Sequence, residues 1–483
     1  MAEYDVILIG TGIGGLLCAG MLCNSGMKVL CLEKNHNPGG YLTSFRRRGF
    51  LFDSAVDCIS GTSSDGLITR VIEKLGIKED IEYTKVSPVR YSIFPDLSVT
   101  VPDSLEQYRE ELCGLFPNDC KGIDGILGAF TDIYINALAA AESLICSDYK
   151  LKSLPDVTMK ALCMSYQELL DDFIPDKRLK AILSDRCPFI GLPPGKVSAL
   201  SMVNLIMSYF KQGASRVRGG YQRLSNRLSE AIRKQGSEVH TGKKVIRILT
   251  KGNRAVSVVC DTGEEYSSKY IVSNADFFST ATMLGDKASL RQAQNYLKNP
   301  GHSISFFIVY LGVEGVEITR SSIGYFPSYN MNGFFCRKNY FKDKQTLGIT
   351  VATVEEPERA PDNCHTVVVH EMVQSDEDIK DRKQCIELVM KRLERLFPSI
   401  TSHIMVIDSA TPGTLCRYTG NYRGAAFGWR QIPNRRFRFD FNIDNLYIAG
   451  HWGEFGGGVL AAGYSGVATA SKIIIKEGGR IEL

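Results

Sequence analysis

Hydrophobic residues cluster first in a run, Val6-Ile7-Leu8-Ile9, rich in β-branched side chains, the pattern of a strand buried on both faces. The run meets Gly10-x-Gly12-x-x-Gly15 and then residues 16–22, an apolar stretch that reads as a buried helix. A second apolar strand, 28–32, ends in Glu33. From about 65 to 210 the period changes: helices are predicted over 66–75, 104–115, 123–145 and 165–173, with short extended pieces around Pro88, Pro95 and Pro102. Residues 133–141 are apolar on most faces, which suits either a core helix or a lid over a greasy channel. Pro193-Pro194-Gly195 breaks this pattern. Spacings of three and four then predict an amphipathic helix over 223–232. Strands at 238–240 and 245–249, with turn signals at Gly252-Asn253 and Asp261-Thr262-Gly263, predict a small β-meander. A buried strand follows at 270–275. Runs at 303–311 and 366–372 and a helix at 378–397 read as a second sheet domain. The last buried strand, 445–450, leads through Gly456-Gly457-Gly458 into a helix of small residues.

A strand, a tight glycine turn and a helix, in that order, make an anion site. Gly10 permits the turn, Gly12 lets a pyrophosphate approach the backbone, and Gly15 lets helix and strand pack closely. The helix N-terminus offers free N–H groups and about half a positive charge. Glu33 stands eighteen residues past Gly15, where an acid accepts hydrogen bonds from ribose hydroxyls. Gly39-Gly40 suggests a further backbone approach to the same ligand, with Ser44 able to bond it. Too little chain follows Gly456-x-Gly458 for a second dinucleotide unit, so that turn reads as a helix N-terminus aimed at the other end of the same cofactor.

Length changes the picture by allowing two or three domains with ample core: the chain has 483 residues, 44% hydrophobic and 23% charged. A net charge of +4 is too small to argue for nucleic acid. The seven histidines form no metal-ligand spacing. No pair of the fourteen cysteines is spaced C-x-x-C, and Cys18, Cys31 and Cys260 lie in apolar runs. With the first strand near residue 5 leaving no room for a signal peptide, the expectation is a reducing, cytoplasmic setting. No apolar run approaches the roughly 20 residues that span a bilayer, and attachment to the inner membrane face stays open. Arg46-Arg47-Arg48 reads as a solvated turn, or as a partner for pyrophosphate or an anionic substrate. If it meets Arg435, Arg436 and Arg438 in the fold, weak, salt-sensitive membrane binding is expected.

Taken together, these pieces resemble the phytoene desaturase, carotenoid isomerase and retinol saturase group of FAD-dependent oxidoreductases, within the amine-oxidase-like flavoproteins. The likeness covers nearly the whole chain. It rests on the opening fingerprint with Glu33, Gly39-Gly40-x-x-x-Ser44, residues 193–199, Gly219-Gly220, 271–276, Thr411-Pro412-Gly413, and 445–450 with the glycine-rich helix entry. It implies an α/β chain with a Rossmann-type FAD-binding domain drawn from 1–65, 215–280 and 436–483. A discontinuous α+β substrate domain with a helical lid would occupy 66–214 and 281–435. It also implies non-covalent FAD held by Gly10, Gly12, Ile13, Gly14, Gly15, Glu33, Lys34, Gly39, Gly40, Thr43, Ser44, Val245, Asn274, Gly450, Glu454, Gly458 and Val459. The Arg46 to Arg48 run and His451-Trp452-Gly453-Glu454 depart from the group's usual residues.

The implied chemistry is saturation or desaturation of carbon–carbon bonds in an extended apolar, polyene- or isoprenoid-like substrate, with redox-neutral cis–trans isomerisation as the alternative and a non-catalytic flavin carrier as a third reading. No separate nicotinamide fingerprint is present, so an external electron donor or acceptor is expected. His451 and Glu454, where the last strand meets the flavin-facing helix, are the candidate proton carriers. A structural hydrogen bond for His451, and a helix cap or ribityl contact for Glu454, are the alternatives. Arg417 and Tyr418 either line the substrate pocket or only pack.

Overall fold

A computed structural model describes residues 3–146, 156–434 and 440–481. Strands Tyr4–Ile9 and Val29–Leu32 are buried on both faces and pair in parallel, as their unbroken apolar runs require. Glu238–His240 continues the parallel sheet beyond Val29–Leu32. On the other side lie Glu265–Ser273 and then Leu446–Ile448, also parallel. The first half of Glu265–Ser273 turns away to pair antiparallel with Arg254–Cys260, which pairs with Val245–Lys251, giving the meander.

A second, seven-stranded sheet runs in the order Ile404–Ala410, Ser305–Glu314, Cys364–Val373, Leu347–Thr350, Ser322–Tyr325, Arg90–Ile93, Ser98–Val101. Its last two strands come from the stretch read as mainly helical, where only short extended pieces were expected. A helical layer packs on this sheet through a shared core, in which Phe130, Tyr166 and Met202 meet Val99, Val101 and Met372 of the strands. Helix Tyr166–Asp171 begins at a capping box, in which Ser165 and Glu168 satisfy each other's backbone N–H groups. Helix Cys120–Cys146 buries Ile123, Ile126, Leu127, Phe130, Ile133 and Tyr134, one face by their spacing. By length and composition this helix could cross a bilayer, although no unbroken apolar run in the sequence suggested one. Here it lies on helix Ala199–Gln212.

Helices Phe277–Leu284 and Lys287–Lys298 cover the apolar face of the meander, with Phe277, Ala281 and Ala293 packed beside Val245 and Ile248, and so carry this packing past residue 280, where the FAD-binding segment was expected to end. Strand Ser215–Val217 pairs with Tyr83–Lys85, not with the nucleotide sheet. The helix read over 378–397 is Arg382–Leu393, since the Asp381 side chain caps it by accepting from Gln384 N–H at 3.0 Å. Arg47 and Arg48 form the exposed end of the hairpin Ser44–Arg47/Phe50–Asp53, with Arg47 paired to Asp408 at 3.2 Å. Arg435, Arg436 and Arg438, the expected second half of a basic patch, lie outside the described residues.

Candidate active site

The parallel strands end level with one another. Ile9 pairs with Leu32 and Ser273, and Ser273 pairs with Ile448. Gly10, Glu33, Asn274 and Ala449-Gly450, which follow these positions, therefore line the carboxyl edge of the sheet, where open α/β sheets bind ligands. Helix Ile13–Asn24 starts from Gly12 and helix Val459–Lys476 from Gly458, and neither has a capping side chain. Their first-turn N–H groups are thus left for a polar or anionic ligand. The two helices cross on glycine. A Cβ at Gly14 would stand 2.7 Å from both Gly450 Cα and Ala462 O, and one at Gly466 would collide with Gly14 O. Gly39 N–H donates to Thr11 O at 3.0 Å, which lays the Gly39-Gly40 loop against the same turn. Because any side chain must part the helices, Gly14→Ala is expected to cost about 1–3 kcal/mol. A thermal melt superimposable on that of the parent would refute so close a crossing.

Glu33 is buried, and its carboxylate organises the edge. Oε2 accepts from Thr11 N–H at 3.0 Å and its hydroxyl at 2.7 Å. Oε1 accepts from Asn35 N–H and Nδ2, both at 2.9 Å. These four donors occupy the carboxylate's roughly four lone-pair sites, so a ligand hydroxyl bonds it by taking the place of one of them. Lys34 Nζ donates to Arg417 O and Asn35 Nδ2 to Tyr418 O, both at 2.6 Å, so the end of helix Pro412–Thr419 closes this part of the cavity through its carbonyls. Burial lowers the pKa of the Lys34 ammonium.

One cavity of about 1240 Å³ runs from this edge to the second sheet. It exceeds the roughly 300–1,000 Å³ of common small-molecule sites, leaving room for a dinucleotide and a second ligand. Gly10, Gly12, Ile13, Gly14, Glu33, Lys34, Gly39, Gly40, Val245, Asn274, Gly450, His451, Glu454, Gly458 and Val459 all line it, as do Arg417 and Tyr418. Its far walls are Phe306, Leu347 and His370 of the second sheet, and Ala137, Leu138, Ala141 and Leu144 of helix Cys120–Cys146. That helix thus serves as both core and lid.

Several expected contacts lie elsewhere. Ser44 and Thr43 are not in the cavity wall. Ser44 Oγ donates to Asp53 Oδ1 at 2.6 Å and accepts from Gln222 N–H at 3.2 Å, while Thr43 Oγ1 bonds Gly40 O at 3.2 Å. The buried Asp53 claims the serine, a demand invisible in the local motif. Gly15 is also outside the cavity wall, and a Cβ there would collide with Gly10 O.

Both expected proton carriers, His451 and Glu454, reach the cavity. Glu454 is exposed at the cavity rim and paired with Lys472 Nζ at 3.2 Å. Asn421 Oδ1 accepts from Trp452 Nε1 at 2.8 Å, so the amide must present its oxygen, and His451 Nε2, at 2.9 Å from the same oxygen, must carry the hydrogen. Burial pushes this imidazole down to about 4, leaving it neutral at pH 7. Thr11, Asn35, Asn421, Arg90 and His370 reach the cavity without having been anticipated. Thr11, between two fingerprint glycines, was open to sequence reasoning; the others carry no local signal. Among the described residues no cluster of three histidine, cysteine or acidic side chains could hold a metal.

The pattern of the family described as flavin containing amine oxidoreductase matches residues 13–474. The chain is 28% identical over 504 residues to a chloroplastic prolycopene isomerase of Daucus carota, covering 98% of this chain and 80% of that one. It is 24% identical to the all-trans-retinol 13,14-reductase of Danio rerio, covering 97% and 85%. Among solved structures, an oxidoreductase from Methanosarcina mazei superimposes with a TM-score of 0.68 at 17% identity, over 97% of this chain and 100% of the other.

Proposed function

Since this chain belongs to the flavin-containing amine oxidoreductase family and is an FAD-dependent oxidoreductase, we propose that it acts on carbon–carbon double bonds of an extended apolar polyene. The observation that carries this reading is the unbroken cavity between the glycine-lined sheet edge and an apolar chamber under helix Cys120–Cys146.

The residues present fit FAD. The close glycine contacts leave no side chain between backbone and ligand, and both uncapped helices open on the cavity. Gly12 to Gly14 would meet the pyrophosphate, Glu33 the ribose hydroxyls, and Gly458 and Val459 the flavin end. When bound, the flavin supplies two-electron transfer at its ring. The chain supplies position and dryness. Ala137, Leu138, Ala141 and Leu144 cover the chamber and keep water from the reacting carbons. His451 holds its Nε2 proton on Asn421.

A neutral His451 and an ion-paired Glu454 favour a second reading, redox-neutral cis–trans isomerisation, which needs no net proton. Similarity to the carrot prolycopene isomerase supports it equally. Mixing chemically reduced holoenzyme anaerobically with an all-trans or poly-cis polyene separates the two. Stoichiometric flavin reoxidation with loss of one double bond is the expected result for a saturating enzyme. A change of geometry at constant flavin reduction makes it an isomerase, and no change across a broad polyene panel removes the substrate class.

A further inference from the structure

Across the cavity face of the second sheet, register places Ser92, Gly324, Gly348 and His370 in one row on four adjacent strands. Two adjacent glycines leave a gap in that face. Arg90, two residues before Ser92 and so on the same side, lays its guanidinium into it. A Cβ at Gly324 would collide with Arg90 Nη2. Phe189 stacks on the guanidinium at 4.9 Å, fixing its plane. Arg90, Gly348 and His370 all line the cavity.

Arg90 is 2% exposed, yet among the described residues it donates no side-chain hydrogen bond, and its Nε is buried without a partner. Its nearest carboxylate, Asp185, stands 3.5 Å from Nε, already accepts from Ser92 Oγ at 2.6 Å, and is shared with Arg186 at 3.7 Å. Arg186, also buried, likewise leaves Nη1 without a partner, whereas Arg216 is fully supplied. Arg216, fully buried, donates to Asp57 O, Asp57 Oδ1, Glu355 and Ser321 O at 2.7–3.3 Å. A buried guanidinium without acceptors is costly unless a ligand supplies them. His370 Nε2, Asn204 Oδ1 and Gln431 Nε2, all on the cavity wall, are likewise buried without partners. A pure hydrocarbon would leave every one of these groups unsatisfied.

We infer that the chamber takes an amphiphile, an apolar chain ending in a carboxylate that Arg90 binds through its planar fork, with Gly324 making the room. A guanidinium fork matches a carboxylate in two parallel bonds. The carboxylate anchor stands on the structure alone; that the chain is a polyene rests on the function proposed above.

The test titrates FAD-loaded enzyme with all-trans-retinoic acid, its methyl ester and oleate, following the flavin spectrum. The acid is expected to bind about 10- to 100-fold more tightly than the ester, the range of a charged hydrogen-bonded pair. Arg90→Met should abolish that preference and Arg90→Lys restore part of it. Gly324→Ala, which displaces the guanidinium without removing it, should weaken the acid and spare the ester. Flavin content of each variant confirms folding. Equal binding of acid and ester to the parent, or an undiminished preference in Arg90→Met, overturns the anchor and leaves the polyene reading intact. Arg90-dependent binding of oleate with neither retinoid bound keeps the anchor and removes the polyene. Binding of none of the three overturns the anchor.

Discussion

Arg359→Ala is expected to lose about 3–5 kcal/mol of stability, the penalty for breaking a buried ion pair from one side. Arg359 is fully buried between the two halves of the chain. It donates to Asp53 Oδ2 at 2.5 Å, to Glu356 Oε2 at 2.8 Å and to Val217 O at 3.0 Å. Asp53 and Glu356 are themselves buried and would be left as uncompensated carboxylates. Arg359→Met restores volume but not charge, so it should recover little. Combining it with Asp53→Asn and Glu356→Gln should recover more than half, because no bare charge remains. Urea titration reads this as a midpoint shift at unchanged slope. A loss below about 1 kcal/mol in Arg359→Ala would show the cluster to be dispensable.

Glu33→Ala is expected to weaken FAD binding tenfold or more. Ribose hydroxyls lose an ionised acceptor, and hydrogen bonds to charged groups contribute about 1.5–3 kcal/mol each. The same substitution strands Thr11 and Asn35, whose four donor groups meet on this carboxylate. Both sides of the cradle should therefore loosen, and the rise in melting temperature on adding FAD should shrink. Glu33→Gln, which keeps one acceptor, should fall between. Full flavin occupancy in Glu33→Ala would place ribose recognition elsewhere.

What the sequence disclosed follows from how local each feature is. The strand–turn–helix at 4–24 is dictated by adjacent residues, so both its structure and its glycine chemistry were legible. So was the last helix, whose run of small residues announces close packing; its partner at Gly14 did not follow from that run. Ser44 misled because its hydroxyl answers to Asp53, nine residues away across a hairpin and buried by groups from 221 and 359. His451 was found but its tautomer was not, since the Nε2 hydrogen is fixed by Asn421, thirty residues earlier and in no motif. Arg90 was out of reach for the same reason. Its lack of hydrogen-bond acceptors arises where four strands stand in register, which no window of sequence contains.

The crossing of Gly14 and Gly466 has a consequence for biosynthesis. Strand Tyr4–Ile9 is made hundreds of residues before its neighbours Glu265–Ser273 and Leu446–Ile448, and before helix Val459–Lys476. Pairings so distant in sequence form slowly. Until the final helix is made, the opening fingerprint faces an incomplete sheet edge with nothing to seat the far end of a cofactor. Loading must then follow synthesis of that helix, so a product truncated before it stays colourless, and the acquisition of yellow reports that the fingerprint turn and this helix have met.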